Sequence, residues 1–593
     1  MKKKIPLFIT IVCLLLAGLY VSPTKALNLP VNQSLNTAKN ASANQVIDTL
    51  NTAKSASADQ VIDTFRTGNL PPLSHWKWYY GKPDCELTPL AKTIHDAVDT
   101  FVTKRKMRKK KKGWFTGDQT RFLRQDLITT KRNAVGPAMM DSPGIFSALG
   151  RIIEEADYEF DLLTFFMEHD SDPYKEILNA FKKRLSLIYS TRPLPGKVFR
   201  IRIFANAISP LNIKGNERTI AKKLITPYMN LLKELNLDPE VVQIEVATHV
   251  HGARGAIHDK LGIVDGSYLH IGGANIQNKN NYDNPERDSG YILKGDIATQ
   301  AMESFDTLWR KRRSYCKVTR ENGKYLAVCE LQKGDVVIDR DKNILKPQYE
   351  KIGLGDKGCI PMTILSKRKK GFLDKQSIIN SYCQGLLAGM GAAKSHLKMT
   401  SPNLNSPHIL TEILKGIKDR NIRYDILLPY KRNLSQVNNI RGFGSNELSL
   451  QRLRACSMRN NHGIFDNPEK RELLNPRWWV KVGDEKRDSG NGPGCYHIKY
   501  SSIDDEVAII GSGNLDGQAM YHSSETSIVV NDPVIVKTWD AFIFTPEYER
   551  AVDAKVWQMK TPKRWSWRSP KGWFGRYTDH FNFCKKLEYN NKY

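Results

Sequence analysis

Apolar and polar positions follow the same succession in two separate parts of the chain. Residues 148–166 (ALGRIIEEADYEFDLLTFF) have the pattern of a helix that leads into a buried strand, and a second strand-like run follows at 198–205 (VFRIRIFA). The same order returns at 387–400 (LAGMGAAKSHLKMT) and 422–428 (IRYDILL), with a helical pattern between the runs in both places. Helix, strand, helix and strand, repeated, predict two α/β sandwich halves within one chain.

Each succession leads to an apolar run that is broken by a polar turn and then resumes. Residues 258–275 read HDKLGIVDGSYLHIGGAN, and residues 497–514 read HIKYSSIDDEVAIIGSGN. Both contain His, any residue, Lys, four residues and Asp, and both reach Asn 17 residues after the His. The apolar blocks on either side of Asp265 and Asp504 predict two buried strands with a tight connection.

The two stretches also carry the side chains that a phosphate group would need. His258 and Lys260 are two residues apart, as are His497 and Lys499, so each pair faces the same way on a strand. Small residues follow the return strand and allow a ligand or another backbone to approach closely. These residues are Gly272, Gly273, Gly511 and Ser512, and the amides after them are Asn275 and Asn514. Imidazole, ammonium, amide and small residues, brought together twice, predict a phosphate site.

The double motif resembles the signature of the phospholipase D superfamily, over roughly residues 145–300 and 375–545. The resemblance implies two duplicated α-β-α sandwich halves that pack together with one shared active site. It also implies an acidic residue beyond each Asn, and the matching candidates are Asp288 in ERDSG and Glu525 in SSETS. Gly273 stands where Ser is commoner in the family, and we do not expect this departure to abolish activity.

Phosphodiester cleavage needs a nucleophile, neutralisation of developing charge and a proton for the leaving alkoxide. Imidazole titrates near neutral pH and can serve as nucleophile or as general acid. The resemblance implies that His258 forms a phosphohistidine and that His497 protonates the leaving alcohol and then activates water. The two lysines and two asparagines would hold the phosphoryl oxygens, and Asp288 and Glu525 would orient the imidazoles.

Other polar residues in or near the motifs are predicted to have structural roles. Asp265 and Asp504 stand at the strand turns and are expected to support the turns, not the chemistry. His249 and His251 alternate on a predicted strand, but no acidic or Cys partner lies at a spacing suited to a metal site. We therefore predict ordinary pocket or core histidines there, and the scheme requires neither a metal nor a cofactor.

The composition describes a folded, strongly basic chain. It has 593 residues, of which 40% are hydrophobic, and a formal net charge of +28. This length predicts more than one domain and excludes a disordered protein. The charge indicates an anionic partner such as a membrane surface, nucleic acid or a cell envelope polymer, unless it serves only solubility.

The first residues resemble an export signal. Three lysines follow Met1, residues 5–21 are apolar, and a small residue, Ala26, offers a cleavage site after Pro23. This pattern predicts a cleaved secretory signal peptide, with an uncleaved membrane anchor as the alternative. Beyond Cys13 the chain has eight cysteines, and an even set in an exported protein suggests disulfides whose pairing stays open.

Basic and aromatic residues alternate at two places outside the motifs. Eight of the nine residues from 104 to 112 are Lys or Arg, and a Lys-Gly-Trp-Phe phrase follows there and again near the C-terminus. Such segments suit a membrane interface or stacking on bases, whereas a solvated loop and ordinary aromatic packing are the alternatives. The candidate membrane-binding residues are Lys109, Lys110, Trp114, Trp565, Trp567 and Trp573.

These patterns divide the chain into six segments. They are a signal peptide (1–26), a spacer with a tandem 15-residue repeat (27–70), a basic extension (71–144), a first half (145–310), an insert (311–375) and a second half with a basic-aromatic end (376–593). The insert contains a hairpin-like run, LAVCELQKGDVVIDRD.

The export signal, the basic-aromatic segments and the two fused halves favour a secreted phospholipase D. It would act as a monomer and hydrolyse phospholipid headgroups at a membrane surface to give phosphatidic acid. Three alternatives stay open: a nuclease that acts on DNA or RNA, a transphosphatidylase, and a non-catalytic protein that binds anionic surfaces.

Overall fold

The computed structural model describes residues 64–65, 70–82, 85–108, 128–190, 198–207, 216–250, 256–310, 312, 314–331, 338, 340, 344–368, 378, 380–430, 445–459, 464, 467–481 and 494–559. The predicted signal peptide, nearly all of the spacer and all six candidate membrane-binding residues lie outside these ranges. None of the helices in the described part combines the length and the apolarity that crossing a bilayer requires.

Strands and helices alternate through the described ranges. The strands are β1 (Thr64–Phe65), β2 (Thr129–Thr130), β3 (Asn133–Met140), β4 (Glu159–Thr164), β5 (Phe199–Ala207), β6 (Val242–Val250), β7 (Leu261–Val264), β8 (Tyr268–Gly272), β9 (Ser289–Gly295), β10 (Ser314–Glu321), β11 (Lys324–Leu331), β12 (Met362–Lys367), β13 (His396–Thr400), β14 (Arg423–Leu428), β15 (Leu474–Trp478), β16 (Tyr500–Ile503), β17 (Val507–Gly511), β18 (Glu525–Asn531) and β19 (Val552–Asp553). The helices are α1 (Pro89–Arg108), α2 (Asp141–Glu154), α3 (Asp172–Ser190), α4 (Asn216–Glu234), α5 (Asp296–Trp309), α6 (Ser381–Ala392), α7 (Pro407–Arg420), α8 (Asn446–Arg459), α9 (Pro468–Glu472), α10 (Gly517–Tyr521), α11 (Pro533–Trp539) and α12 (Thr545–Arg550).

The strands form two sheets with the same internal order. The first sheet runs β1-β3-β9-β8-β7-β4-β5-β6-β10-β11, and the second runs β19-β15-β14-β13-β16-β17-β18-β12-β2. The series β3-β9-β8-β7-β4-β5-β6 therefore matches β12-β18-β17-β16-β13-β14-β15, strand for strand. In both series the last three strands are parallel and the other neighbours antiparallel. The predicted duplication of an α/β fold is confirmed.

Both halves begin earlier in the chain than the sequence patterns indicate. Strand β3 belongs to the first sheet although it precedes residue 145, and β12 belongs to the second sheet although it lies within the predicted insert. Strand β3 contains Gly136 and Pro137, and its register with β9 shifts between Val135 and Ala138. A bulged strand with these residues lacks the alternation by which strands are recognised.

The insert contributes a hairpin one strand earlier than predicted. Strand β11, which contains the LAVCEL run, pairs with the preceding β10 across a turn at Asn322 and Gly323, both with positive φ. An Asn-Gly pair is the usual signal of such a two-residue hairpin turn.

A Cys316–Cys329 disulfide joins the two strands, and a Cys85–Cys359 disulfide ties the segment before α1 to the region before β12. The even set of cysteines therefore does contain disulfides, as predicted.

Apolar side chains fill two layers around the sheets. In the first half, Phe160 of β4 packs edge-on against Phe181 of α3, which contacts Tyr228 of α4 in the same way. A second cluster runs through both halves and joins Leu261 of β7 to Ile510 of β17. Each such buried side chain contributes about 1.5–3 kcal/mol of stability, and this continuous core holds the two motifs against each other.

The motif aspartates lie at the far end of their hairpins, where they organise the backbone. The Asp265 carboxylate accepts hydrogen bonds from the backbone N–H groups of Asp157, Tyr158 and Glu159, at 2.7–2.8 Å. Asp504 does the same for the backbone N–H groups of residues 394–396, at 2.7–3.0 Å. Each aspartate thus ties its hairpin to the start of the neighbouring strand, β4 or β13.

We expect Asp265→Ala to lower the free energy of unfolding by about 3 kcal/mol or more, because it leaves three buried N–H groups without an acceptor. Asp504→Ala is the matched control, since Lys394 and Ser395 are exposed and water can replace the lost acceptor there. Urea unfolding of both variants measures the difference. Equal losses, or an Asp265→Ala protein as stable as the wild type, would contradict this role.

Candidate active site

The two motifs meet along two short parallel bridges between the halves. Ser524 donates its backbone N–H to Ala256 and accepts from the N–H of His258, at 2.8 and 3.2 Å. Arg287 donates its N–H to Cys495 and accepts from the N–H of His497, at 2.8 and 2.7 Å. Each histidine is therefore anchored beside the acidic residue of the opposite half.

The side chains repeat this crossed arrangement. His258 Nδ1 lies 3.0 Å from Glu525 Oε2, and His497 Nδ1 lies 2.6 Å from Asp288 Oδ2. Asp288 and Glu525 are almost completely buried. A buried carboxylate at Nδ1 fixes the ring orientation and favours the charged imidazolium, so each half supplies the acid that supports the other half's histidine.

Both motif lysines are held next to their histidines. Lys260 Nζ donates to the backbone oxygen of His258 at 2.7 Å, and Lys499 Nζ donates to that of His497 at 2.5 Å. Burial, together with the charge of Lys499, lowers the pKa of Lys260 to about 7, although Glu525, Asp288 and Asp259 oppose the fall. Two buried ammonium groups that repel each other are a site prepared for an anion, because a bound phosphate would relieve the repulsion.

Burial shifts the pKa of the two carboxyl groups in the opposite direction, because their charged form is the deprotonated one. Burial raises the pKa of Asp288 to about 7 and that of Glu525 to about 8, while the nearby lysines oppose the rise. The hydroxyl of Ser512 donates to Glu525 at 2.7 Å, and the backbone N–H of Ser289 donates to Asp288 at 2.9 Å. Together with the lysines, these hydrogen bonds limit the rise in the pKa of each carboxyl group.

The small residues of the motif leave room for the acids. A Cβ at Gly273 would lie 2.1 Å from Asp288 Oδ1, whereas the corresponding Ser512 fits beside Glu525 and bonds to it. A Cβ at Gly272 or Gly511 would lie within 2.5 Å of a backbone oxygen of the next strand. Gly273 is therefore a steric requirement of the shorter acid Asp288, which explains the departure from the commoner Ser.

The motif asparagines are both buried. The backbone oxygen of Asn275 accepts from Asn280 at 2.7 Å, and that of Asn514 accepts from the Tyr382 hydroxyl at 3.0 Å. Within the described ranges, the side-chain oxygens of Asn275 and Asn514 are buried without a hydrogen-bond partner. Buried polar atoms usually have partners, so each of these two oxygens is available to accept a hydrogen bond from a donor on a ligand.

Three residues near the site were missed by the sequence analysis. Phe165, after β4, lies edge-on to His258 with ring centroids 5.0 Å apart, and Lys260 Nζ lies 5.2 Å from its ring. Asp259 is buried and accepts hydrogen bonds from the hydroxyls of Ser524 and Thr526. Glu286 lies 3.9 Å from His497. Of these, only Glu286 has a sequence signal: it follows Asn275 by eleven residues, the interval that also separates Glu525 from Asn514.

The histidines outside the motifs do not form a metal centre within the described part. His249 is buried on β6, and His251 lies outside the described residues. Among the described residues, no group of three or more His, Cys, Asp or Glu side chains is arranged to hold a cation.

Two His–Lys motifs with crossed carboxylates on a duplicated α/β sandwich define a phosphodiesterase or phosphotransferase of the double-motif type. Residues 386–543 match the family model described as "Cardiolipin synthase, PLD-like domain". This match places a phospholipase D-like domain in the second half of the chain.

Several known proteins are similar to this chain. An uncharacterized protein of Helicobacter pylori (strain ATCC 700392 / 26695) is 23% identical over 433 residues, which cover 68% of this chain and 77% of that protein. The structure of phosphatidylserine synthase from Haemophilus influenzae Rd KW20 has 12% identity and a TM-score of 0.46, covering 71% of this chain and 88% of that one. Nuc from Salmonella typhimurium, a phospholipase D family member, has 16% identity and a TM-score of 0.20, covering 28% of this chain and 87% of that one.

Proposed function

We propose that the chain is an exported phospholipase D that hydrolyses the headgroup phosphodiester of a phospholipid to phosphatidic acid. The observation that carries this proposal is the crossed support of His258 by Glu525 and of His497 by Asp288, at 3.0 and 2.6 Å. Both imidazoles are thereby oriented through Nδ1, and the Nε2 atom of each is the one that would reach the phosphate.

The reaction follows from these positions in two steps. His258 Nε2 attacks phosphorus, the bond to the headgroup oxygen breaks, and protonated His497 gives its proton to the leaving alkoxide. Neutral His497 then takes a proton from water, whose oxygen attacks phosphorus and releases His258 with phosphatidic acid. Lys260 and Lys499 stabilise the charge on the equatorial oxygens throughout.

A lipid substrate is supported by the surroundings of the site and by the chain's charge. Phe165 and Phe166, whose ring centroids are 3.9 Å apart, give the His258 side a half-buried aromatic wall. The formal net charge of +28 suits an anionic membrane surface. The predicted signal peptide would bring the protein to that surface from outside the cytoplasm.

Phosphatidyl transfer to an alcohol is the second candidate. The family model that matches residues 386–543 is described as a cardiolipin synthase domain, which points to transfer between lipid alcohols. The two reactions differ only in whether water or an alcohol resolves the phosphohistidine, so they use the same residues.

Product analysis distinguishes these activities. We expect the purified full chain, incubated with mixed phosphatidylcholine and phosphatidylethanolamine vesicles, to release phosphatidic acid detectable by mass spectrometry, with His258→Ala as the inactive control. Added glycerol would divert the product to phosphatidylglycerol if transfer dominates. Cleavage of single-stranded DNA or RNA in a parallel sample, without any lipid product, would contradict the lipid proposal and favour the nuclease.

A further inference from the structure

The two histidines do not have equivalent acidic surroundings. Strand pairing aligns Gly272 with Gly290 in the first sheet and Gly511 with Ser527 in the second, so Asp288 corresponds to Glu525. By the same alignment Glu286 corresponds to Ser523. The first half therefore supplies two carboxylates to the loop beside His497, whereas the second half supplies one carboxylate and a hydroxyl to the loop beside His258.

Glu286 is buried and held toward His497. Its Oε2 atom lies 3.9 Å from His497 Nδ1 and accepts from the Gln277 side-chain amide at 3.3 Å. Its other oxygen accepts from the Cys495 thiol, also at 3.3 Å. Only 2% of Glu286 is exposed, so its charge is little screened by water.

In the second half the corresponding loop performs a different task. The backbone oxygen of Ser523 accepts from Lys367 at 2.7 Å, and its hydroxyl accepts from Gln518 at 3.0 Å. Asp259, the additional acid next to His258 in sequence, is turned toward the hydroxyls of Ser524 and Thr526.

We propose that Glu286 is a positioning residue that, together with Asp288, keeps the proton on His497 and so assigns acid catalysis to the second-half histidine. The proposal rests on the phosphodiesterase chemistry proposed above but not on the identity of the substrate. The two motifs have the same sequence pattern, so the difference in the number of carboxylates beside each histidine arises outside them.

The charged groups around His497 have opposite effects on its protonation. The carboxylates of Asp288 and Glu286 favour the imidazolium, while Lys499, whose Nζ lies 3.0 Å from His497 Nδ1, and the more distant Lys260 disfavour it. The guanidinium of Arg287 is directed to Asp141 and Glu547 and contributes less. Removing one of two carboxylates therefore shifts the balance toward neutral imidazole.

The pH dependence of Glu286→Gln tests the proposal. A general acid must be protonated, so the rate falls as pH rises through the pKa of His497. Losing a negative charge about 4 Å away lowers this pKa, so the falling limb should move to lower pH by at least about one unit. Asp283→Asn, which removes an exposed carboxylate from the same loop, should leave the profile unchanged, and Glu286→Asp should restore part of the shift.

The leaving group provides a second readout that a merely structural role would not move. Glu286→Gln should slow cleavage of a phosphodiester with an alkyl alcohol leaving group by about tenfold or more. A p-nitrophenyl phosphodiester, whose leaving group needs no proton, should be affected far less. Equal slowing of both substrates with an unshifted profile would overturn the proposal.

A titration independent of turnover separates this proposal from the proposed function. Histidine side chains labelled with ¹³C can be followed by NMR in the full chain, with the His497 signal assigned by its loss in His497→Asn. A lower titration midpoint for His497 in Glu286→Gln is the expected result even if no substrate is known. An unchanged midpoint would refute the role of Glu286, whereas a shifted midpoint in a protein inactive on every phosphodiester would refute only the proposed function.

Discussion

His258→Ala and His497→Ala should each reduce the turnover of a phospholipid by about 10⁴-fold or more, because neither step of the two-step scheme proceeds without its imidazole. The two variants should nevertheless fail differently on a p-nitrophenyl phosphodiester. The leaving group then needs no proton, so His497→Ala can still form the phosphohistidine on His258 but lacks the base that resolves it. We expect a burst of about one p-nitrophenolate per enzyme from His497→Ala and none from His258→Ala.

Stopped-flow absorbance measures the burst, and mass spectrometry of the quenched protein locates the phosphoryl group. His75→Asn, a change at an exposed histidine before α1, is the control for general effects of histidine loss. A burst from His258→Ala instead would exchange the roles of the two histidines. Full activity of either variant would remove the histidine that it lacks from the chemistry.

The repeated local patterns explain why the duplicated fold could be predicted from the sequence. Alternation in 198–205 and 422–428 indicated β5 and β14, and the apolar blocks around Asp265 and Asp504 indicated the two hairpins. These signals are local, since neighbouring residues alone determine which face of a strand is buried. Strands β3 and β12 had no such signal, and their places depend on pairing with β9 and β18.

The crossed support of the histidines could not be derived in the same way. His258 and Glu525 are separated by more than 260 residues, and their contact depends on how the halves pack. The distance along the sequence from the motif Asn would have indicated Glu286 instead of Asp288 as the partner of His497. The reason is that Asp288 follows Asn275 by two residues more than Glu525 follows Asn514. Asp288 is distinguished only by its place directly before β9, as Glu525 begins β18.

Gly273→Ser should lower turnover by about 100-fold, although it restores the residue that is commoner in the family. Its Cβ would lie 2.1 Å from Asp288 Oδ1 and 2.9 Å from the carboxylate carbon, so the acid must move away from His497. Loss of a carboxylate that orients a reacting imidazole typically costs 10–100-fold or more, and the added volume should cost about 1–3 kcal/mol of stability. Ser512→Gly removes the hydroxyl that donates to Glu525 and accepts from the backbone N–H of Thr526, but it displaces no acid and should cost about tenfold.

A double-mutant cycle separates the effect on Asp288 from general damage to the fold. If Gly273→Ser acts by displacing this acid, adding it to Asp288→Ala should lower kcat little further, since the group it displaces is already absent. Urea unfolding of the same four proteins shows whether stability follows a different pattern from kcat. Additive losses in kcat would mean that the serine disturbs the site by another route. Wild-type turnover of Gly273→Ser would mean that the His497–Asp288 pair tolerates a displaced carboxylate. The occurrence of Gly with Asp in one half and of Ser with Glu in the other would then have no steric basis.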